Sequence, residues 1–281
     1  MKINHNNFLK LAFNIARVNL GKTKKNPSVG CVVVKDQSVI SSGCTSLNGR
    51  PHAEFNSLKK NKNFKDSDLY VTMEPCTHEG ITPPCTQIIK KKKIKRVFFS
   101  FFDLDKRTKK KAQSVLSKKN IKAHLVKSSQ IKDFYQSYYL NKKRSLPLVD
   151  AKIAISKDYF TINKKGRWIT NLLSRLRVHL IRSEYDSIIS TSKSINRDNS
   201  LLNCRLNGFN KTKPDLIIID INLKIKKKIK LFKEAKNRKI YIITSCLKSK
   251  KFQFLKKKGV KIIFINSLND KKDFIILFKL L

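Results

Sequence analysis

The chain has 281 residues, 40% of them hydrophobic, and a formal net charge of +44 at pH 7. This length favours one or two domains, and the apolar content is sufficient for a buried core. No run of residues approaches the roughly 20 apolar positions needed to cross a bilayer, and Met1–Leu20 mixes Asn, Lys and Arg into its apolar positions, unlike a signal peptide. We therefore expect a cytoplasmic protein without a membrane partner.

The positive charge has two interpretations. Lys and Arg total 63 against 19 Asp and Glu, a balance found in proteins that contact nucleic-acid phosphates. However, the excess is spread along the whole chain, Lys is far commoner than Arg, and Asn and Ile are also abundant, as an AT-rich genome would produce. We favour this compositional origin and expect no nucleic-acid partner, although such a field would also attract a small anionic substrate.

Apolar periodicity and turn residues predict alternating elements in the first half of the chain. Apolar positions from Phe8 to Ala16 recur with a helical period, and two apolar runs around Lys35 and Asp36 indicate a hairpin. The predicted helices are 6–20, 52–60, 84–90, 109–119 and 131–142, and the predicted strands are 29–34, 38–42, 69–73, 97–101 and 121–126. This order predicts a layered α/β domain with a largely parallel sheet over residues 1–145.

A second α/β domain is predicted for residues 146–281. A polar stretch before Pro147 separates it from the first domain, and strands again alternate with helices. The predicted strands are 148–155, 187–190, 216–219, 240–244 and 260–265, and the predicted helices are 171–183, 252–258 and 272–281.

The six cysteines do not form a disulfide pattern. Without a secretory leader a disulfide framework is not expected. Cys31 lies in an apolar run typical of a buried thiol, and Cys204 and Cys246 are interpreted as structural. Cys76 and Cys85 differ, because each follows a proline in a pattern that suits a metal.

Three short segments carry the chemistry, one with His52 and Glu54, one at Cys76 and one at Cys85. One imidazole and two thiolates suit tetrahedral Zn²⁺, and three protein ligands leave a fourth position for the water of a catalytic site. Zinc lowers the pKa of such a water towards neutrality, and a nearby carboxylate can pass its proton to a leaving nitrogen. Because His-x-Glu followed by Pro-Cys and a second Cys is the pattern of zinc nucleobase deaminases, we predict His52, Cys76 and Cys85 as metal ligands and Glu54 as the catalytic acid–base.

A purely structural zinc site is the alternative. A structural site is closed by four protein ligands, and His78 is the nearby candidate for the fourth. This alternative predicts that Glu54 is dispensable for function.

The spacing of the two cysteines is longer than in the simple deaminase pattern. Eight residues separate Cys76 from Cys85, and the run Glu74-Pro-Cys-Thr-His-Glu-Gly-Ile-Thr-Pro-Pro-Cys85 resembles the deaminase half of the bifunctional riboflavin-biosynthesis family RibD. Asn26-Pro-Ser-Val-Gly30 and the apolar run after it resemble the opening strand of that family. Over residues 6–145 the resemblance implies a three-layer, cytidine-deaminase-like domain that deaminates a phosphoribosylamino pyrimidine.

The resemblance also implies deaminase substrate contacts at Asn26, His78, Thr82 and Asp103. The side-chain amide of Asn26 both donates and accepts hydrogen bonds, as pyrimidine binding requires, although a turn residue before Pro27 is its alternative role. Asp103 matches the first residue of the family's Asp-Pro-Asn-Pro segment, but the Asn and both prolines are absent here.

The second half resembles the family's NADPH-dependent reductase domain, which has a dihydrofolate-reductase-like fold. Residues 152–158 are similar to its first strand, and Gly166-Arg-Trp168-Ile-Thr170 is similar to a Ser-x-Trp-Ile-Thr segment. The resemblance implies NADPH contacts at Ala154, Gly166, Trp168, Ser194 and Asp198, and reductase substrate contacts at Arg182, Leu202 and Arg205.

One family feature is missing from this half. The family has a Gly-Gly segment after a Glu, where the backbone approaches the cofactor phosphates, whereas Gly259 is the one glycine that follows Gly208 in this chain. We therefore expect an incomplete, C-terminally short reductase domain that binds NADPH more weakly than a full-length member of the family.

Two other functions remain open at this point. The net charge favours a deaminase that acts on nucleic acid, but the long cysteine spacing and the second domain disfavour it. A basic RNA-binding protein with structural zinc is the other alternative. We expect a small phosphoribosyl pyrimidine as the substrate and a homo-oligomer as the assembly.

Overall fold

The computed structural model describes residues 4–59, 61–127, 131–161, 166, 168–209 and 214–280, with the backbone alone at 131 and 132. The chain divides into two compact units, Met1–Leu148 and Val149–Leu281. Within the described ranges, no helix is long and apolar enough to cross a membrane.

The first unit alternates helices and strands in the predicted order, except that the predicted helix 131–142 is divided at Tyr135. The helices are α1 (His5–Arg17), α2 (Ala53–Leu58), α3 (Cys85–Lys91), α4 (Ala112–Ser117), α5 (Ile131–Phe134) and α6 (Gln136–Arg144). The strands are β1 (Gly30–Lys35), β2 (Ser38–Cys44), β3 (Asp68–Met73), β4 (Arg96–Phe101) and β5 (Lys122–Leu125).

The sheet of the first unit has the order β2-β1-β3-β4-β5. Strand β1 is antiparallel to both β2 and β3, whereas β3, β4 and β5 are parallel. The prediction of a largely parallel sheet was therefore wrong for the half that contains the hairpin, because a tight turn joins antiparallel strands. The parallel half matters for the site, since the segments that follow β3 and β4 leave the same edge of the sheet.

Helix α1 packs unusually close to β1. Its buried face consists of Leu9, Ala12, Phe13 and Ala16. A Cβ atom on Gly30 would lie 1.9 Å from the carbonyl oxygen of Ala12, so the absence of a side chain at Gly30 allows this approach.

We expect Gly30→Ala to destabilise the first unit by more than about 3 kcal/mol, because the clash is with backbone that cannot rotate away. Thermal or denaturant unfolding of the full chain measures this change. Gly80→Ala is the matched control, since the nearest heavy atom to its added Cβ is 3.8 Å away. Equal unfolding midpoints for the two variants would contradict the expectation.

The second unit is built around a parallel sheet. Its helices are α7 (Leu172–Ser183), α8 (Ser192–Asp198), α9 (Lys251–Lys257) and α10 (Lys271–Leu280), with a 3₁₀ segment at Lys230–Lys236. Its strands are β6 (Ser187–Thr191), β7 (Asp215–Ile219), β8 (Ile240–Thr244) and β9 (Val260–Phe264), all parallel in the order β6-β7-β8-β9.

The sheet of the second unit is covered on both faces, as parallel sheets usually are. Successive residues of β7 alternate between two apolar clusters, since side chains of a strand point to opposite faces. Leu216 and Ile218 belong to the larger cluster, whereas Ile217 packs with Ile243 and with Leu277 of α10.

Two sequence predictions for the second unit were wrong. Residues 148–155 do not form a strand, and Val149, Ile153 and Ile155 are 53%, 69% and 46% exposed. A strand needs a neighbouring strand to satisfy its backbone, which local apolar content cannot guarantee. Helix α8 was missed, because Ile195 is the one large apolar residue in it and its first turn is capped by Thr191.

Candidate active site

The four residues of the metal motif meet because each lies at the end of an element. His52 is the N-terminal cap of α2, and Glu54 lies in the first turn of that helix. Cys76 follows β3, and Cys85 is the first residue of α3. These helix starts and the carboxyl end of β3 therefore converge on one point.

The three predicted ligands form a cluster in which the candidate ligand atoms all lie within 4.8 Å of one another. The Nδ1 atom of His52 lies 3.6 Å from the sulfur of Cys76 and 3.4 Å from the sulfur of Cys85. Tetrahedral zinc, with bonds of about 2.3 Å to sulfur and about 2.0 Å to nitrogen, separates such ligands by roughly 3.5 Å. The donor set therefore fits Zn²⁺ in both chemistry and spacing.

Glu54 stands beside this cluster and is 3% exposed. Burial raises the pKa of its carboxyl to about 7, although the nearby charge of His52 opposes the rise. A carboxyl with such a pKa is poised to exchange protons near neutral pH.

The pKa values of the two thiols shift in opposite directions. A hydrogen bond with Cys85 lowers the pKa of Cys76, and the same contact together with burial raises the pKa of Cys85. Cys76 is the thiolate of the pair, because its sulfur also accepts the backbone N–H of Cys85 at 3.2 Å and faces His52. A thiolate already present at this position favours a metal ligand.

His78 does not complete the cluster. Its Nδ1 atom lies 2.9 Å from the hydroxyl oxygen of Thr108. Among the described residues, the metal-binding group at this position consists of His52, Cys76 and Cys85 alone. The fourth protein ligand required by the structural-zinc alternative is therefore lacking.

A cavity of about 130 Å³ opens onto the cluster. Asn26, His78 and Asp103, three of the predicted substrate residues, line it. The fourth, Thr82, reaches the cavity indirectly, because its hydroxyl accepts a hydrogen bond at 2.5 Å from the cavity-lining Arg50. The amide nitrogen of Asn26 donates to the carbonyl of Gly49 at 2.9 Å, which fixes the orientation of that side chain.

Sequence reasoning missed Glu74, which organises one wall of the cavity. Its buried carboxylate accepts the backbone N–H groups of Asp103, Lys110 and Ala112 at 3.0–3.2 Å. These bonds hold the loop between β4 and α4, on which Asp103 lies. In the sequence, the position of Glu74 directly before the Pro-Cys motif was the one indication that it belongs to the site.

Tyr138 of α6 was also missed. Its hydroxyl donates to Asp103 at 3.0 Å, and its ring lines the cavity. Burial raises the pKa of Tyr138, so it remains a donor. The two residues are 35 positions apart, and no sequence pattern links them.

Comparisons with known proteins agree with this geometry. A family model for the cytidine and deoxycytidylate deaminase zinc-binding region matches residues 2–101, and the model of the RibD C-terminal domain matches residues 147–275. The riboflavin biosynthesis protein RibD of Aquifex aeolicus is 30% identical over 269 residues, which cover 94% of this chain and 75% of the relative. The chain belongs to the RibD family.

Two further relatives show how much of the chain is similar to the family in sequence and in structure. RibD of Bacillus amyloliquefaciens is 33% identical over 222 residues, which are 78% of this chain and 60% of the relative. A solved deaminase/reductase of Thermotoga maritima is 26% identical with a TM-score of 0.81, over 98% of this chain and 76% of the other. The predicted fold class, a cytidine-deaminase-like domain followed by a dihydrofolate-reductase-like domain, is thus confirmed.

Within the RibD C-terminal domain the structure brings Arg182 and Arg205 together. Arg182 donates to the backbone carbonyl of Asn203 at 3.2 Å, and Arg205 donates to the side-chain oxygen of the same residue at 2.9 Å. His179 contacts both Asn203 and Arg205, at 3.1 Å and 3.3 Å. Leu202, the third predicted reductase substrate residue, instead packs against the larger apolar cluster.

The five residues that the family resemblance assigns to NADPH lie in three separate segments of this domain's sequence. Ser194 and Asp198 lie one turn apart on an exposed face of α8. Ala154 lies in the segment that does not form a strand, and Gly166 is exposed. Trp168 is 55% exposed, with the Arg175 guanidinium 4.7 Å from its ring centroid.

Proposed function

We propose that the chain catalyses two reactions of riboflavin biosynthesis. The first domain deaminates diaminohydroxyphosphoribosylaminopyrimidine, and the second reduces 5-amino-6-(5-phosphoribosylamino)uracil with NADPH. These are the activities for which the solved Thermotoga protein is named. The observation that carries the proposal is the convergence of His52, Cys76 and Cys85 beside the buried carboxyl of Glu54.

In the first domain, the imidazole of His52 and the thiolates of Cys76 and Cys85 would hold zinc, which would supply a water that ionises near neutral pH. Glu54 is the proton carrier. Because its pKa is about 7, it would take a proton from the water that attacks the amino-bearing ring carbon and pass it to the amino nitrogen, which leaves as ammonia.

Asn26 and Asp103 orient the pyrimidine in the cavity. Because the amide nitrogen of Asn26 is bound to the carbonyl of Gly49, its amide oxygen is left to accept from an amino group of the base. Asp103 is held by Tyr138, and His78 adds a third polar contact to the same cavity.

In the second domain NADPH, which supplies a hydride when bound, would contact the five residues that the family resemblance assigns to it, among them Ser194 and Asp198 on α8. Lys193 and Arg197 of the same helix line a neighbouring basic cavity with Lys224 and Lys226, and none of the five residues lines that cavity. The positive charge of these four side chains attracts the phosphates of the cofactor. Arg182 and Arg205, which share Asn203, then bind the phosphate of the substrate.

An assay of the full zinc-loaded chain with the pathway pyrimidine tests the proposal. We expect ammonia release without NADPH, and NADPH oxidation only after deamination. Ammonia release from tRNA or single-stranded DNA, and none from the pyrimidine, would favour the nucleic-acid deaminase instead. Ammonia release without any NADPH oxidation would support the sequence-based prediction of an incomplete reductase.

The remaining parts of the proposal concern the setting of the enzyme. A cytoplasmic location and a homo-oligomeric assembly stay predictions from the sequence. Light scattering of the purified chain measures the second of these directly.

A further inference from the structure

The carboxylates that line the deaminase cavity, Glu54 apart, all accept hydrogen bonds from protein donors. Glu74 accepts three backbone N–H groups. The Oδ1 atom of Asp103 accepts from the hydroxyl of Tyr138 and from the backbone of Asp105. Asp105 in turn forms an ion pair with Arg107 at 2.6 Å. Glu74 is therefore committed to the loop and Asp105 to Arg107, whereas Asp103 stays available to the pyrimidine base.

The cations that line the cavity are less completely paired. Lys25, Arg50 and Lys142 line it together with Arg107, and in the described part of the chain Arg107 alone among these four has a carboxylate partner. Lys25 and Lys142 are exposed, whereas Arg50 is half-buried. Three of the four cations therefore have no carboxylate partner in the described part of the chain, and Arg50 is the most buried of the three.

Arg50 is oriented by the insertion between the two cysteines. Its Nη1 atom donates to the hydroxyl of Thr82 at 2.5 Å. Neither Nε nor Nη2 has a hydrogen-bond partner among the described residues. A guanidinium that is fixed at one nitrogen and free at two others presents the fork geometry that binds a phosphate.

The position of Arg50 links this fork to the reaction centre. It precedes the zinc ligand His52 by two residues, and both side chains line the same cavity. A ligand whose phosphate lies at Arg50 can therefore extend its base towards Glu54 within a single cavity.

We propose that Arg50 binds the phosphate group of the deaminase substrate, and that Thr82 is a positioning residue that acts through Arg50. This inference rests on the proposed function for the chemical identity of the substrate. It assigns selectivity for the phosphorylated over the unphosphorylated pyrimidine to one side chain.

The test compares the phosphoribosylamino pyrimidine with its unphosphorylated riboside on the full zinc-loaded chain. For Arg50→Gln we expect kcat/KM for the phosphorylated substrate to fall about 10- to 100-fold through KM, as for loss of a charged hydrogen bond. The kcat for this substrate and all constants for the riboside should change by less than about threefold. Thr82→Val should reproduce part of the KM effect.

Arg107→Gln is the matched control, because that guanidinium is paired with Asp105. Any effect of Arg107→Gln should be equal for the two substrates. An equal loss for both substrates in Arg50→Gln, or an unchanged preference for the phosphate, would overturn the inference.

A binding measurement tests this inference separately from the proposed function, because it does not depend on turnover. Calorimetry with both ligands, in chains that carry Glu54→Gln to prevent turnover, reports the phosphate preference without chemistry. A preference that disappears with Arg50→Gln supports the role of Arg50 even if the wild-type chain releases no ammonia. If the chain that retains Arg50 binds the phosphorylated and the unphosphorylated ligand equally well, the inference is overturned, whatever the turnover.

Discussion

Glu54→Gln abolishes ammonia release while the chain keeps its zinc. The amide has nearly the shape of the buried carboxyl but cannot exchange protons, so we expect kcat to fall by at least about 100- to 10,000-fold. Steady-state ammonia release and the zinc content of the same preparation measure the two quantities. The mechanism predicts that ammonia release is lost while the zinc content is unchanged, since Glu54 is beside the ligand cluster rather than part of it.

Glu79→Gln is the control for this experiment, because Glu79 is an exposed carboxylate in the insertion between the two cysteines. Its turnover should remain at the wild-type level. Full deamination by Glu54→Gln would refute the assignment of Glu54 and revive the structural-zinc alternative.

Cys85→Ser is expected to remove zinc and deamination together. Cys85 is buried at 3% exposure and lies 3.4 Å from the His52 nitrogen. A serine hydroxyl is a much poorer zinc ligand than a thiolate. We expect less than about a tenth of the wild-type zinc content after dialysis, because zinc affinity depends on the identity and number of the ligands.

The reductase provides an internal readout for this variant. NADPH oxidation with the deaminated pyrimidine should persist in Cys85→Ser, because the zinc cluster belongs to the first unit. Cys44→Ser is the matched control, since Cys44 is a half-buried thiol outside the cluster. Equal zinc content in the Cys44 and Cys85 variants would contradict the assignment of the ligands.

The sequence was sufficient for the metal site because its chemistry is local. His52 and Glu54 lie two positions apart at a helix start, and each cysteine follows a proline at the end of an element. Local spacing and helix termini fix the direction of these side chains. The structure then added the distances, which fit zinc.

The residues that shape the substrate cavity were mostly beyond the reach of sequence reasoning. Glu74 binds a loop 29 to 38 positions away, and Tyr138 meets Asp103 across 35 positions. Arg50 was one of many cations until its contact with Thr82, 32 positions away, distinguished it. Such contacts depend on how strands and helices pack, which local patterns do not encode.

The second domain shows the same limit in its secondary structure. The apolar runs of β7 and β8 identified buried parallel strands, because few other environments accept such runs. The apolar residues Val149, Ile153 and Ile155 predicted a further strand just as strongly, yet they are exposed and unpaired in the described structure. A strand at these residues would have needed a neighbouring strand to pair with, which apolar composition alone does not supply.

The sequence by itself was enough to predict the zinc ligands, the proton carrier, the alternation of elements and the resemblance to the family, because each depends on residues close together in the chain. The tertiary structure alone decided which distant side chains share the cavity, that the pKa of Glu54 is raised to about 7, and that Arg50 lines this cavity while it donates to Thr82. Burial and long-range contact set these properties, and both arise only when the sheet and its helices pack together.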